Sequence, residues 1–521
     1  MKVWKHVAAA AVLALGLSAC GGGTNNDNQS TDNGSDQQYA EGGTFTLAMS
    51  GDPGLLNPLN NTSTLSNWFF RFLYDFLVFR DSDGSLKPGL ASDWDFDGTT
   101  AKFTIRDDVT CSDGSAVTPS VIAKSFAYMK DEEKASVLVG AVIPNRNFNY
   151  EADDATNTLT IVLDEPFGLL VHALSFLPVP CGAGAEDPDS LTTTSSGSGP
   201  FVLSDVVPST SFTMAKRDGY SWGINGASTD AAGMPDTVVV QVVETEATVA
   251  NLLAGGQANA GVVNGPDADR VAAAGGTSYM TVTGNGALLF NQADGHPTAD
   301  RDVRLALVQA LNRAEVGATS TNGLVTEPGK SVNAATPQVC DDSEAASAIP
   351  AMDVAAAKAT LEGKGITIKL VHSNSIPTYG PTAELVAAAW KDVGVEVTIE
   401  SVTPGDYSAR LFGTGDFDVA MGQFSNPFPS TLTGLLGGPP PPDGVNGGQI
   451  DNQAYKDAIA TALITPIPEG CTYWVDASKA LFEHVDYIPL SDWPTNWMFK
   501  DATMDTIGGR PIPTSVRMLA N

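Results

Sequence analysis

Five histidines, five cysteines and sixty acidic side chains are the raw material this chain has for catalysis or metal binding. The histidines, His6, His172, His296, His372 and His484, are scattered. None stands in an HExxH pair that would set two imidazoles on one helix face, and no serine occupies a GxSxG elbow that would expose a nucleophile. With sixty carboxylates, close pairs arise by chance and say nothing about acid–base work. Gly323 to Ser331, GLVTEPGKS, comes near a phosphate-binding loop. Its first glycine is one residue too far away, Pro328 stiffens it, and VNAATPQ after it begins no helix to aim N–H groups at phosphate. These residues point to no catalysis, no cofactor and no metal.

The charge balance narrows the partners. The net charge is −32, and removing Lys2 and Lys5 with the first 19 residues makes it −34 (−32 − 2). A field of that sign repels phosphate backbones and anionic headgroups, which argues against nucleic acid and against a peripheral lipid surface. Membrane attachment is expected through the N-terminus instead. Lys2 and Lys5 precede an apolar run from Val7 to Leu17, too short for the roughly 20 residues a spanning helix needs. Leu17-Ser18-Ala19-Cys20 is similar to the lipobox of bacterial lipoproteins, so residues 1–19 are expected to be a signal peptide and Cys20 the lipidated residue. Residues 20–40 contain almost nothing apolar and are expected to be a flexible tether reaching roughly 25 Å. Cys111, Cys181, Cys340 and Cys471 remain. Their spacings match no CxxC site, and in an exported chain they form disulfides, with three pairings open.

The elements behind these residues read as mixed α/β. Thr44 to Ala48 is a strand broken by Asp52-Pro53-Gly54, and Leu65 to Phe79 a buried aromatic helix running into a strand at Leu77 to Arg80. Trp94, Phe96, Phe103 and Ile105 alternate with polar residues around Asp97-Gly98, a hairpin, and Thr118-Pro119-Ser120 starts a helix. Leu159, Ile161 and Leu163 belong to a second hairpin. Beyond Asp236 strands and helices alternate. They include a helix from Asp300 to Val316 and a βαβαβ run from Lys364 to Gly422, which argues for a second α/β unit.

These landmarks, in this order, resemble bacterial extracellular solute-binding proteins of family 5, the group that serves peptide and nickel ABC importers. The resemblance is carried by Leu86 to Trp94 (LKPGLASDW), Phe103 to Val109 with Ser112-Asp113-Gly114 and Thr118-Pro119, and Gly197 to Phe201 (GSGPF) with Arg217 to Tyr220. Further on it rests on Leu289-Phe290-Asn291, Asp302 to Arg304 with Ala310 to Arg313, Ala383 to Val397, Gly415 to Asp418 and Asp486 to Leu490. It implies a two-lobe, Venus-flytrap α/β fold. Lobe I is then 41–85, 195–285 and 490–521, with an inserted α+β subdomain at 86–194, and lobe II is 286–489. Each disulfide stays within one of these units if Cys111 pairs with Cys181 and Cys340 with Cys471, which is the expected pairing.

The same resemblance places a ligand cleft at the segment after the Phe417 strand. Many peptide binders there carry GW..DY..P, whose Asp pairs with the peptide ammonium. The matching stretch is Gly422-Gln423-Phe424-Ser425-Asn426-Pro427-Phe428-Pro429, with Gln423 at the Trp and Asn426 at the Asp. Asn426 accepts a hydrogen bond there but supplies no charge. Trp493 and Asn496 near the implied hinge, Trp68, and Asn291 complete the expected ligand set. The implied function is a lipid-anchored, monomeric receptor that binds an oligopeptide- or dipeptide-like solute by lobe closure and hands it to ABC transporter permease subunits. The alternatives are an oligosaccharide, nickel or another non-peptide solute in the same fold, or a secreted hydrolase.

Overall fold

The computed structural model describes residues 38 to 520. The expected signal peptide, the lipidated Cys20 and the tether up to residue 37 lie outside the described residues. The last tether residues are held by the body: Tyr39 bridges to Leu519, and the Ala40 N–H donates to Met518 O at 3.0 Å. Tyr39 is the first bulky side chain after the polar run. It packs beside Gly233, where an added Cβ would lie 2.9 Å away.

A ten-stranded sheet runs through both lobes. Its order is Glu396–Val402, Thr367–Ser373, Val419–Ser425, Thr277–Phe290, Tyr487–Phe499, Ala260–Val262, Thr44–Met49, Thr237–Val242, Ser211–Lys216 and Phe201–Val207. The first three strands fall in the stretch expected as lobe II and the last five in the stretches expected as lobe I. The two long antiparallel strands Thr277–Phe290 and Tyr487–Phe499 are common to both and carry the chain from one lobe to the other. Their register slips between Val282 and Gly284 and again between Gly286 and Ala287. These bulges bend the pair where it crosses, and they make room for Pro494 and Pro489, which cannot donate to a regular ladder. Gly284 has no alternative residue there: a Cβ would sit 2.0 Å from Phe424 O.

The inserted subdomain carries its own four-stranded antiparallel sheet, in the order Ala91–Phe96, Thr100–Ile105, Thr158–Leu163 and Phe148–Asp153. Phe103, Ile105, Leu159 and Ile161 point inward in strict alternation. Helix Pro119–Lys130 backs them, with Thr118 as N-cap and Pro119 at its first position. Cys111 is bonded to Cys181 and Cys340 to Cys471, closing loops of 70 and 131 residues. In the chain-entropy picture each is worth about 4 to 5 kcal/mol against the unfolded state.

Two helices differ from expectation. The aromatic helix ends at Leu73, because Tyr74 turns extended and Asp75 is drawn away by three buried donors. The helix expected over 300–316 is two, Arg301–Gln309 and Arg313–Ser320, because the Asn312 side chain caps the N–H of Glu315 and starts a new one.

Candidate ligand-binding cleft

A cavity of about 690 Å³ lies where three parts of the chain meet. The N-terminal turn of helix Thr64–Leu73, with Asn61, Thr62 and Asn67, forms one wall. The inserted subdomain contributes Leu138, Val142, Phe167 and Phe176, and lobe II contributes Ser425, Pro427, Phe428 and the end of helix Gln453–Ile464. Arg510, from the C-terminal part of lobe I, reaches the same space. The walls touch one another directly. The Phe176 and Phe428 rings meet edge-on at 4.5 Å, and Arg80 Nη1 donates to Pro427 O at 3.0 Å. Arg510 lies over the Phe176 ring at 4.3 Å, and Arg80 lies over Phe176 and Phe428 at 5.5 and 5.8 Å.

Behind this wall stands Asp75, fully buried. It accepts from Ser198 Oγ at 2.9 Å, Tyr220 OH at 2.8 Å and Trp222 Nε1 at 2.8 Å. Burial pushes its carboxyl up to about 6 even though these bonds pull the other way. It ties the helix Thr64–Leu73 to the segment that returns from the inserted subdomain. His172, in the same subdomain, is held neutral, its pKa pushed down to about 4 by burial and then by Arg80.

None of the eight residues expected from sequence borders this cavity. Asn426 is buried beside it, its amide donating to Val332 O, and its side-chain oxygen has no partner. The neighbouring Pro427 and Phe428 are the ones that face the space. Gly422, Gln423 and Phe424 border a smaller pocket of about 240 Å³ in lobe II, together with Tyr379 and Tyr407, whose hydroxyls have no partner. Gly422 is obligatory there, since a Cβ would come 2.2 Å from Tyr407 OH. The other four hold the framework. Asn291 clamps Gly415 O and Phe417 O at 2.7 and 2.9 Å. Asn496 donates to Val263 O at 2.9 Å. Trp68 packs on Trp497 at 4.7 Å, and Trp493 packs edge-on to Tyr379 at 5.7 Å. The cleft residues missed from sequence, Phe176, Phe428 and Arg510, and Arg80 packed behind them, are brought together only by the fold.

The model of bacterial extracellular solute-binding proteins, family 5 Middle, matches residues 85–438, more than half of the chain. The chain belongs to this family. It is a family of transporter binding proteins, not of enzymes. Among curated relatives, an oligopeptide-binding protein of Bacillus subtilis is 27% identical over 241 residues, 42% of this chain and 43% of that one. The chain thus matches less than half the length of that relative. Among solved structures, a substrate-binding protein of Microbacterium hydrocarbonoxydans complexed with 4-hydroxybenzoate hydrazide is 28% identical, with a TM-score of 0.73 over 91% of this chain and 99% of that one. An ABC transporter substrate-binding protein of Listeria monocytogenes has a TM-score of 0.79 at 16% identity, over 92% of this chain and 100% of that one, and shares the fold. The two-lobe architecture is the same in both.

Proposed function

We propose that this protein is the solute receptor of an ABC importer, held outside the membrane by lipid at Cys20, and that it binds a peptide-like solute in the cleft and delivers it to membrane permease subunits as a monomer. The observation that carries this reading is the cavity itself. Its size suits a ligand of a few residues, and its walls come from lobe I, the inserted subdomain and lobe II, so lobe closure builds it and lobe opening releases its contents. The family and the Bacillus relative support a peptide-like solute. Anchoring at Cys20 rests on Leu17 to Cys20.

A second reading, a small aromatic solute, is favoured by the three phenylalanine rings on the wall, Phe167, Phe176 and Phe428, and by the aryl ligand of the Microbacterium protein. Mass spectrometry of material co-purified with the protein tests both. It is followed by thermal-shift screening of di- to pentapeptides, oligosaccharides, nickel and hydroxybenzoates. A ligand at a hundred times its dissociation constant adds about 2.7 kcal/mol of stability. Shifts with peptides support the first reading, shifts with aromatic acids or hydrazides support the second, and turnover of any ligand contradicts both.

A further inference from the structure

In a chain of net charge −32, three arginines converge at one end of the cleft, and among the described residues none of them makes an ion pair. Arg71 and Arg80 come from the helix Thr64–Leu73 and the strand Val78–Arg80, and Arg510 from the C-terminal segment. A Cβ placed on Gly508 would lie 3.0 Å from Arg510 Nη1 and 3.4 Å from Arg80 Nη2, so these two guanidinium groups flank one spot. Arg71 borders the adjoining narrow space with Arg80 and Asp75, but the Asp75 carboxylate takes its hydrogen bonds from Ser198, Tyr220 and Trp222 and from none of the three arginines. Burial lowers the pKa of all three, and neighbouring arginines lower those of Arg71 and Arg510 further. Among the described residues their side chains donate two hydrogen bonds, Arg80 Nη1 to Pro427 O and Arg510 Nη1 to Gly508 O.

Desolvated cations without a counter-charge are costly, and a folded chain normally supplies the partner. This one does so elsewhere: buried Arg304 has Asp486 and the carbonyls of Val485, Thr298 and His484. The trio lacks that. Arg510 borders the cavity, its face covered by Phe176 and its Nε and Nη2 donors unspent. That Nε/Nη2 edge is the one that grips a carboxylate with two parallel bonds. The other charged side chain on the cavity wall is Glu165, exposed at the rim, and the nearby His172 is neutral at pH 7.

The geometry points to an anion subsite: the solute taken by this cleft carries a carboxylate that pairs with Arg510, backed by Arg80 and Arg71, with its apolar body against Phe167, Phe176 and Phe428. This deepens the proposed function and rests on it. The carboxylate is supplied either by a peptide C-terminus or by an aromatic acid, and matched probes separate the two.

The test compares, by calorimetry on the intact protein, the tripeptide Ala-Phe-Ala with its C-terminal amide, and 4-hydroxybenzoate with its hydrazide. The acid of one pair is expected to bind at least about tenfold tighter than its neutral partner. Arg510→Gln is expected to erase that preference while leaving the neutral member's affinity in place. The preference of the unmutated protein needs no variant to fold. Equal binding of acid and neutral members, or an Arg510→Gln variant that folds and keeps the preference, overturns the subsite while the receptor reading stands. Absence of binding by every probe, with no co-purified solute, overturns both.

Discussion

Arg304 and the arginine trio put the same side chain into two opposite environments. Arg304 in lobe II is 1% exposed, donates to four backbone carbonyls and faces Asp486, itself buried and also receiving Gln292 and Asn452. Every strong donor there has an internal acceptor, so the cluster is finished when the protein folds. At the cleft, Arg71, Arg80 and Arg510 are packed on phenylalanine rings, and among the described residues they make two side-chain hydrogen bonds and no ion pair. The difference separates scaffold from site. A buried charge that the fold neutralises holds structure, and one that it leaves open beside a cavity has its partner outside the chain.

The sharpest way to break the comparison is to unbalance the finished cluster. Asp486→Ala leaves Arg304 buried and uncompensated and strands the Gln292 and Asn452 amides, so urea denaturation is expected to show a loss of about 3 to 5 kcal/mol. A loss under 1 kcal/mol would mean that Arg304 is no better neutralised than the trio.

Asp75 offers a graded version of the same test. Its folded pKa of about 6 lies above the ordinary 3.8, so the folded state holds the proton more tightly than the unfolded one. The stability this group contributes is therefore full below pH 4 and is lost as pH rises through 6, by about 3 kcal/mol at most. Asp75→Asn does not titrate. The stability of the unmutated protein relative to that variant is expected to fall between pH 4 and pH 7, read from denaturant midpoints at each pH.

Smaller effects distinguish the two cavities. Gly422→Ala drives a methyl into Tyr407 OH and is expected to cost about 1 to 3 kcal/mol while leaving ligand affinity unchanged, since Gly422 borders the 240 Å³ pocket and not the cleft. The smallest change is expected at the trio. Arg510→Met keeps the packing on Phe176 and removes an unneutralised cation, so the ligand-free protein should shift by less than about 1 kcal/mol in either direction in thermal melts.

The two-lobe α/β class was legible because family 5 landmarks such as LKPGLASDW and GSGPF are local strings, and the hairpin at Ala91–Ile105 because alternation is a local signal. The strand Thr277–Phe290 was not. Only its end, from Ala287, reads as a strand, because Gly284 and Gly286 look like turn residues until Phe424 O is seen pressing on the backbone from another strand. Pro489 and Pro494 mask the partner strand in the same way, since proline is tolerated there only at the register slips. At the cavity, the position after the Phe417 strand points to the segment Gly422–Pro429, of which Ser425, Pro427 and Phe428 border the space, but not to which of its side chains face it. Beyond Ser425 the strand ends, and no periodicity fixes that Asn426 turns in while Phe428 turns out. Arg80, Phe176 and Arg510 stand far apart in the chain, and their meeting is a product of topology with no local trace. A lone arginine closing the apolar stretch FLVFR was the one available hint.

The most direct measurement is a crystal structure of the protein with its bound solute, either co-purified or the tightest binder from the screen. The solute is expected between Phe176 and Phe428, with an anionic group within hydrogen-bond distance of Arg510. A solute seated instead in the pocket of Tyr379 and Tyr407, with the 690 Å³ cleft free of it, would contradict the account.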